Sequence, residues 1–281
     1  MIHELKVIVA DIDGTLVNTK REMMPLTRMA INDLHRRGVL FGIASGRPIG
    51  DHMRERPLLW NLDFYPDFII GLNGGQIEDC QTKEYAEFYK LSKETVKEIL
   101  EAMCLFKVNP FVYVGEDFLL LKEDEKTMES LLRNKNKAFF ADDISALYSE
   151  ERGNILFRLL DEADMPRIEA YLAANPSKDY IGFKTQSWLV EFNDPRVNKG
   201  VALQDYCLKH QISLDQVMAF GDTSNDNGML EIAGWPVCMQ NGTDDTKALA
   251  KDITLYSNDE DGVGRYLLDV VYPSLEWKVK R

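Results

Sequence analysis

Basic residues are the minority charge in this chain: 33 lysines and arginines stand against 46 aspartates and glutamates, a formal net charge of -13. That balance argues against nucleic acid as the main partner, because a phosphate backbone selects basic surfaces. Cysteine is scarce too. Cys80, Cys104, Cys207 and Cys238 are widely spread and form no CxxC pair. They give neither a disulfide framework nor a zinc site of ordinary spacing, and read as thiols of a reducing cytosol. The histidines, His3, His35, His52 and His210, are scattered and make no metal-binding pair. No apolar run approaches the roughly 20 residues that cross a bilayer. Residues 1–15 lack the basic start and long apolar core of a signal peptide. The expectation is a soluble cytoplasmic protein with no membrane partner. Missing motifs exclude further classes. There is no GxxxxGK[ST] for a nucleotide-binding loop, no GxGxxG after the first apolar run and no GxSxG for a serine hydrolase. The basic pairs Lys20-Arg21 and Arg36-Arg37, and residues 278–281, read as solvated faces.

What is present fits a two-domain globular protein. The length, 281 residues, is comfortable for two domains, and 45% hydrophobic residues can build a sizeable core. Five short apolar runs each end in a polar, glycine-containing turn. Residues 5–10 lead into DIDGT, 39–44 into SGR, 68–72 into NGG, 217–220 into GDTSND and 237–239 into QNGT. Such runs suit strands buried on both faces of a parallel sheet. Helical patterns lie between them. Leu26, Met29, Ala30 and Leu34 share a face, with Gly38 as a C-terminal stop. Ala202, Leu203, Tyr206 and Cys207 do the same after Lys199, and Thr243 can cap a helix through Ala250. Alternation of strands and helices implies a doubly wound, Rossmann-like α/β sheet, whose ligands bind at the carboxyl ends of the strands. All five polar turns fall at such ends.

The middle of the chain breaks this rhythm. Ser92 starts a helix with Val96, Ile99, Leu100 and Met103 on one face. Residues 111–114 and 118–121 flank Gly115-Glu116-Asp117 as a hairpin. A strand over 154–160, a helix over 164–174 and a second hairpin from 180–184 and 188–192 follow. The expected organisation is an α/β domain, 1–85 with 191–281, and an inserted α+β domain, 86–190. Turns of the insert offer Glu116, Asp117, Lys184, Gln186 and Trp188 for ligand contacts, although Trp188 reads better as packing.

The chemistry lies in the turns. Asp11 and Asp13 follow the first strand and point the same way if strand geometry persists. A close carboxylate pair favours a divalent cation or one retained proton. Ser45 in ASGR offers a hydroxyl and nearby N–H groups, and Lys199 in VNKG a cation. Asp222 and Asp226 in GDTSND add two acids without a basic neighbour. Alone, each also reads as an ordinary solvated turn.

Together, in this order, DIDGT, ASGR, NKG and GDTSNDNGML resemble the four motifs of the haloacid dehalogenase superfamily. LNGGQI resembles the Asn-Gly segment after its third strand. The gap between LNGG and NKG matches the Cof-type phosphatases with a type IIB cap, so the resemblance covers nearly the whole chain. It implies a haloacid dehalogenase core, an α+β type IIB cap and a phosphatase acting on small phosphate esters, sugar phosphates among them. By this likeness Asp11 is the nucleophile, forming an aspartyl-phosphate, and Asp13 the acid and base. The likeness also implies magnesium held by Asp11, the Asp13 carbonyl and Asp222, with Asp226 in or beside the shell. It implies that Ser45, Lys199, Asn225 and the backbone at Ile12 and Gly46 hold the phosphoryl oxygens, with Arg47 as a further candidate. Where the family often has Gly-Asn-Ala after the fifth strand, this chain has Met239-Gln240-Asn241-Gly242. A phosphotransferase or phosphomutase on the same fold is the main alternative, and a noncatalytic binding protein the other. The sequence leaves the oligomeric state open.

Overall fold

A run such as Val7-Ile8-Val9-Ala10 is apolar on both faces, so it must lie between two layers. The computed structural model, which describes residues 4–134 and 136–274, places it there. The strand Val7–Asp11 is buried at every position. It pairs in parallel with Leu40–Ala44 on one side and Val217–Gly221 on the other. The sheet continues through Phe68–Gly71 on the first side, and through Trp235–Cys238 and Asp252–Ile253 on the second, all parallel. Gln76–Asp79, antiparallel to Phe68–Gly71, and then Glu84–Glu87 complete one edge. The chain builds one half of this doubly wound sheet outward from Val7–Asp11 and the other outward from Val217–Gly221. The switch point, where ligands of such sheets bind, therefore lies between these two strands.

Helices cover both faces. Pro25–Arg36 begins with proline, whose missing N–H costs nothing at the first helical position. Met24 has no side-chain oxygen to cap it. Asp261 does so instead, accepting from Leu26 N–H at 2.7 Å and Thr27 N–H at 2.9 Å. The buried face is Thr27, Ala30, Ile31 and Leu34. Met29, expected inside, is 51% exposed, because the helix turns its Ala30–Ile31 side to the core. That side packs on Ile8, Ala10, Phe41, Met218 and Phe220 of the sheet, and on Val263, Leu267 and Val271. Each fully buried side chain of this kind contributes about 1.5–3 kcal/mol over an exposed one. Gly38, at φ +92° with its N–H on the His35 carbonyl, ends the turn. Helix Lys199–Lys209 buries the expected Ala202, Leu203, Tyr206 and Cys207. Thr243 stands at the N-terminal cap of Asp244–Leu249, but its hydroxyl meets that of Thr246 rather than a backbone N–H.

The chain forms two compact units: residues up to Ala86 with those from Asn198 on, and Glu87–Val197. The second break falls later than the 190/191 division read from the sequence, because Leu189–Asn193 pairs within the second unit's sheet. That sheet runs Ile181–Gln186, Leu189–Asn193, Ile155–Leu159, Val108–Val114, Asp117–Leu120, Ala138–Phe140. It is antiparallel except for its last pair. Helix Lys93–Met103 is capped by Ser92 Oγ, which accepts from Thr95 N–H at 3.1 Å. Its Val96, Ile99, Leu100 and Met103 pack on Ile155, Phe157, Val190 and Phe192. Trp188 packs on a smaller cluster with Phe111, Leu156 and Leu189, and its ring centre lies 4.0 Å from the Arg158 guanidinium carbon. Helix Glu125–Asn134 and strand Ala138–Phe140 were not expected from the sequence. Phe139 and Phe140 are both about half exposed (48% and 52%), so that strand shows no alternation to read. Among the described residues no helix is long and apolar enough to cross a membrane. His3 and residues 278–281 lie outside the described residues. His35 and His210 are paired with Asp67 and Asp79. Arg36 and Arg37 pair with Asp63 and Asp33 on the solvated side of their helix.

Candidate active site

The strand Val7–Asp11 delivers Asp11 to the switch point, and the chain then turns. Leu16 N–H returns to the Asp11 carbonyl and Val17 N–H to the Ile12 carbonyl. Gly14 makes the turn possible. It sits at φ +92°, and a Cβ there would stand 2.4 Å from Asp222 Oδ2. Both the left-handed backbone and the close approach require glycine. Asp222 arrives from the neighbouring strand Val217–Gly221, and Thr15 Oγ1 donates to its Oδ1 at 2.8 Å. Four residues on, Asp226 folds back. Its Oδ2 accepts from the N–H groups of Asp222 at 2.9 Å and Thr223 at 3.2 Å.

Lys199 enters at the first position of helix Lys199–Lys209, behind Asn198, whose Oδ1 accepts from Val201 N–H at 3.0 Å. A cation at a helix N-terminus is disfavoured by about 0.3–1 kcal/mol. Two charge-assisted bonds outweigh that cost. Lys199 is fully buried, with Nζ 2.5 Å from Asp11 Oδ1 and 2.6 Å from Asp226 Oδ1. Burial opposes its charge, but Asp11 and Asp226 more than offset this and hold the amine above its ordinary range. Burial pushes the Asp11 carboxyl well above the usual range, and Lys199 pulls it back only in part. Burial, then the nearby Asp226 charge, pushes Asp222 up to about 7.

Three ionised carboxylates and one ammonium leave two surplus negative charges, the charge of one divalent cation. One oxygen from each of Asp11, Asp222 and Asp226 lies within 4.8 Å of the others. Asp226 is already engaged at both oxygens. Asp11 Oδ2 and Asp222 Oδ2 accept no hydrogen bond from the described residues. An all-oxygen set with excess negative charge fits a hard divalent cation.

The expected residues divide as follows. Asp11, Lys199, Asp222 and Asp226 form the buried cluster. The Asp13 side chain does not join it: the strand stops at Asp11, so alternation no longer orients Asp13. Its side chain is 45% exposed, with Oδ2 2.6 Å from Arg47 Nη2. Ile12 is buried in the core. Ser45 is buried behind Leu40–Ala44, its N–H on the Ile70 carbonyl and its Oγ accepting from Arg47 N–H at 3.2 Å. Gly46 lies against the Asn73 side chain, and Asn225 Nδ2 donates to Asn73 Oδ1 at 3.0 Å.

Sequence reasoning gave Asn73 no role. It is buried at φ +54°, with its N–H on the Ser45 carbonyl, and so ties the Ser45 turn to the Asn225 turn. The Asn-Gly-Gly turn was its only signal. The QNGT turn likewise braces the site. Asn241 Nδ2 donates to the Gly14 carbonyl at 2.9 Å, and Thr243 N–H to the Asp222 carbonyl at 2.8 Å.

The profile of the haloacid dehalogenase-like hydrolases matches residues 8–267 of this chain. The 5-amino-6-(5-phospho-D-ribitylamino)uracil phosphatase YitU of Bacillus subtilis is 27% identical over 264 residues, covering 92% of this chain and 95% of its own. A solved haloacid dehalogenase-like hydrolase from Bacteroides thetaiotaomicron superposes with a TM-score of 0.82 at 24% identity, over 95% of this chain and 100% of that one. A structure described as a subclass IIB sugar phosphatase superposes with a TM-score of 0.78 at 20% identity, over 94% of this chain and 98% of that one. At those identities the likeness of structure concerns the fold. The chain belongs to the haloacid dehalogenase-like hydrolases. Within that family it is an enzyme of the phosphatase kind.

Proposed function

We propose that this enzyme is a magnesium-dependent phosphatase of small phosphorylated metabolites, sugar or polyol phosphates in particular. The observation that carries this reading is the buried Lys199–Asp11–Asp226–Asp222 cluster at the switch point. The substrate class leans on relatives: YitU is named for a phosphorylated ribityl compound, and one structural neighbour is described as a sugar phosphatase. A net charge of -13 favours a small ester over a nucleic acid. Four unpaired thiols support a cytoplasmic location.

In this reading one oxygen of the Asp11 carboxylate attacks phosphorus, and Lys199 offsets the carboxylate's charge. The O–P bond forms as the bond to the leaving oxygen breaks, and that oxygen takes a proton from Asp13. Water then attacks the aspartyl-phosphate, gives its proton to Asp13 and releases Asp11. Ser45, Asn225 and the N–H groups at Ile12 and Gly46 bind phosphoryl oxygens, where donors matter because charge there is spread over three oxygens. Asp11, Asp222 and the Asp13 carbonyl would hold magnesium, with Asp226 in or beside that shell, and the ion would supply neutralising charge beside the phosphoryl group. The first compact unit is then the catalytic core and the second the cap.

Phosphate release from a panel of sugar and polyol phosphates tests this, with magnesium against chelator and wild type against Asp11→Asn. Release should require magnesium and fall at least roughly 1,000-fold in the variant. Full activity in Asp11→Asn sinks the mechanism. Release that appears only with a second sugar as acceptor favours the phosphotransferase.

A further inference from the structure

Arg47 is a charged side chain of these turns whose arrangement is only half explained by the contacts above. Its Nη2 donates to Asp13 Oδ2 at 2.6 Å. Its Nη1 is buried and has no hydrogen-bond partner among the described residues. Its backbone is pinned on both sides: the N–H donates to Ser45 Oγ, and the carbonyl accepts from Leu72 N–H at 2.9 Å. The side chain therefore spans from the Ser45 turn to the Asp13 turn. A guanidinium stays charged at every physiological pH and carries its donors in a rigid fork. A buried donor of that kind left unpaired costs stability, and an anionic oxygen satisfies it best.

We propose that Arg47 is a positioning residue serving two anions at once: Nη2 fixes one oxygen of Asp13, and Nη1 takes a phosphoryl oxygen of the substrate. This rests on the phosphatase reading. With Oδ2 held, the Asp13 oxygen that carries the proton is aimed at the leaving oxygen. The proton passes from that oxygen to the leaving group as the P–O bond breaks and the bond to Asp11 forms. Arg47 itself gives up no proton. Because both anions are reached through one planar fork, lysine cannot replace it: a single ammonium serves one partner or the other.

The test compares two esters that share a phosphate and differ in leaving group, phenyl phosphate and 2,4-dinitrophenyl phosphate. The magnesium-loaded enzyme is assayed as wild type, Arg47→Gln and Arg47→Lys, with inorganic phosphate as competitive inhibitor. A poor leaving group needs its proton and a good one does not. Arg47→Gln should lower kcat/KM for phenyl phosphate roughly 100-fold, the scale of a general acid contribution, and for the dinitrophenyl ester less than about 10-fold. It should also weaken inhibition by inorganic phosphate about tenfold, as loss of a charge-assisted bond does. Arg47→Lys should restore the inhibition while keeping the gap between the esters. Equal losses on both esters, or unchanged inhibition in Arg47→Gln, would overturn the proposal while leaving the phosphatase reading intact. Wild type that hydrolyses neither ester overturns both.

Discussion

Lys199→Met keeps the length and apolar stem of the side chain and removes the charge between Asp11 and Asp226. Lys199 is fully buried, so solvent does not soften the change. Removing one partner of a buried ion pair costs about 3–5 kcal/mol, because the remaining charge is left uncompensated. For a domain of this size that corresponds to a fall in Tm of roughly 10 °C. The effect should depend on pH with a definite sign. The Lys199 amine is held above its ordinary range, so its stabilisation is fully present at pH 8 in the wild type. Asp11 and Asp222 are likewise shifted upward, which for a carboxyl means that folding disfavours the charged form. A folded chain with raised carboxyl values binds more protons than the unfolded chain, so its stability rises as pH falls. Without Lys199 the two carboxyls rise further. The deficit should therefore be largest at pH 8 in chelator and narrower at pH 5.5. Magnesium should recover part of it, about 2.7 kcal/mol at a hundredfold excess over Kd. Thermal unfolding at both pH values, with chelator or magnesium, reads all three effects. A deficit equal at pH 5.5 and 8 and indifferent to magnesium would mean that Lys199 acts only by packing, and would refute the charge argument.

Other outcomes follow from the same geometry. Under the proposed function, magnesium binding would displace the proton of Asp222, pushed up to about 7 in the free protein. Affinity measured by calorimetry should therefore fall at least about tenfold per pH unit below 7, since the raised Asp11 carboxyl must lose its proton as well. A flat profile would exclude Asp222 as a ligand. Gly14→Ala should cost about 1–2 kcal/mol for the left-handed backbone. It should also weaken magnesium binding, since its Cβ would meet Asp222 Oδ2. Unchanged magnesium affinity in that variant would contradict the placement of Asp222. Asp13→Asn should leave magnesium-dependent stabilisation intact while lowering turnover roughly 100-fold or more. Loss of metal-linked stability instead would place the Asp13 side chain in the metal shell.

The sequence by itself determined the five central strands of the first sheet but not its edge strands Gln76–Asp79, Glu84–Glu87 and Asp252–Ile253, and it determined the helix faces of 199–209 and 93–103 and the family. It could do so because each buried strand is a short apolar run ending in a polar turn, and each of those helices shows its core at regular spacing. The inward face of Pro25–Arg36 was misread at Met29, since apolar spacing does not say which stripe meets the sheet. Its cap, Asp261, comes from the far end of the chain, where no local pattern could name it. At the site, Asp11, Lys199, Asp222 and Asp226 were legible as residues in suggestive turns. Only the tertiary structure decided that they make one buried cluster, because that depends on which strands are neighbours at the switch point. The same holds for Asp13, turned toward Arg47 once the strand ends, and for Asn73, which joins two turns distant in sequence. Strand order and the end of a strand set distances between side chains, and neither is written in the local sequence.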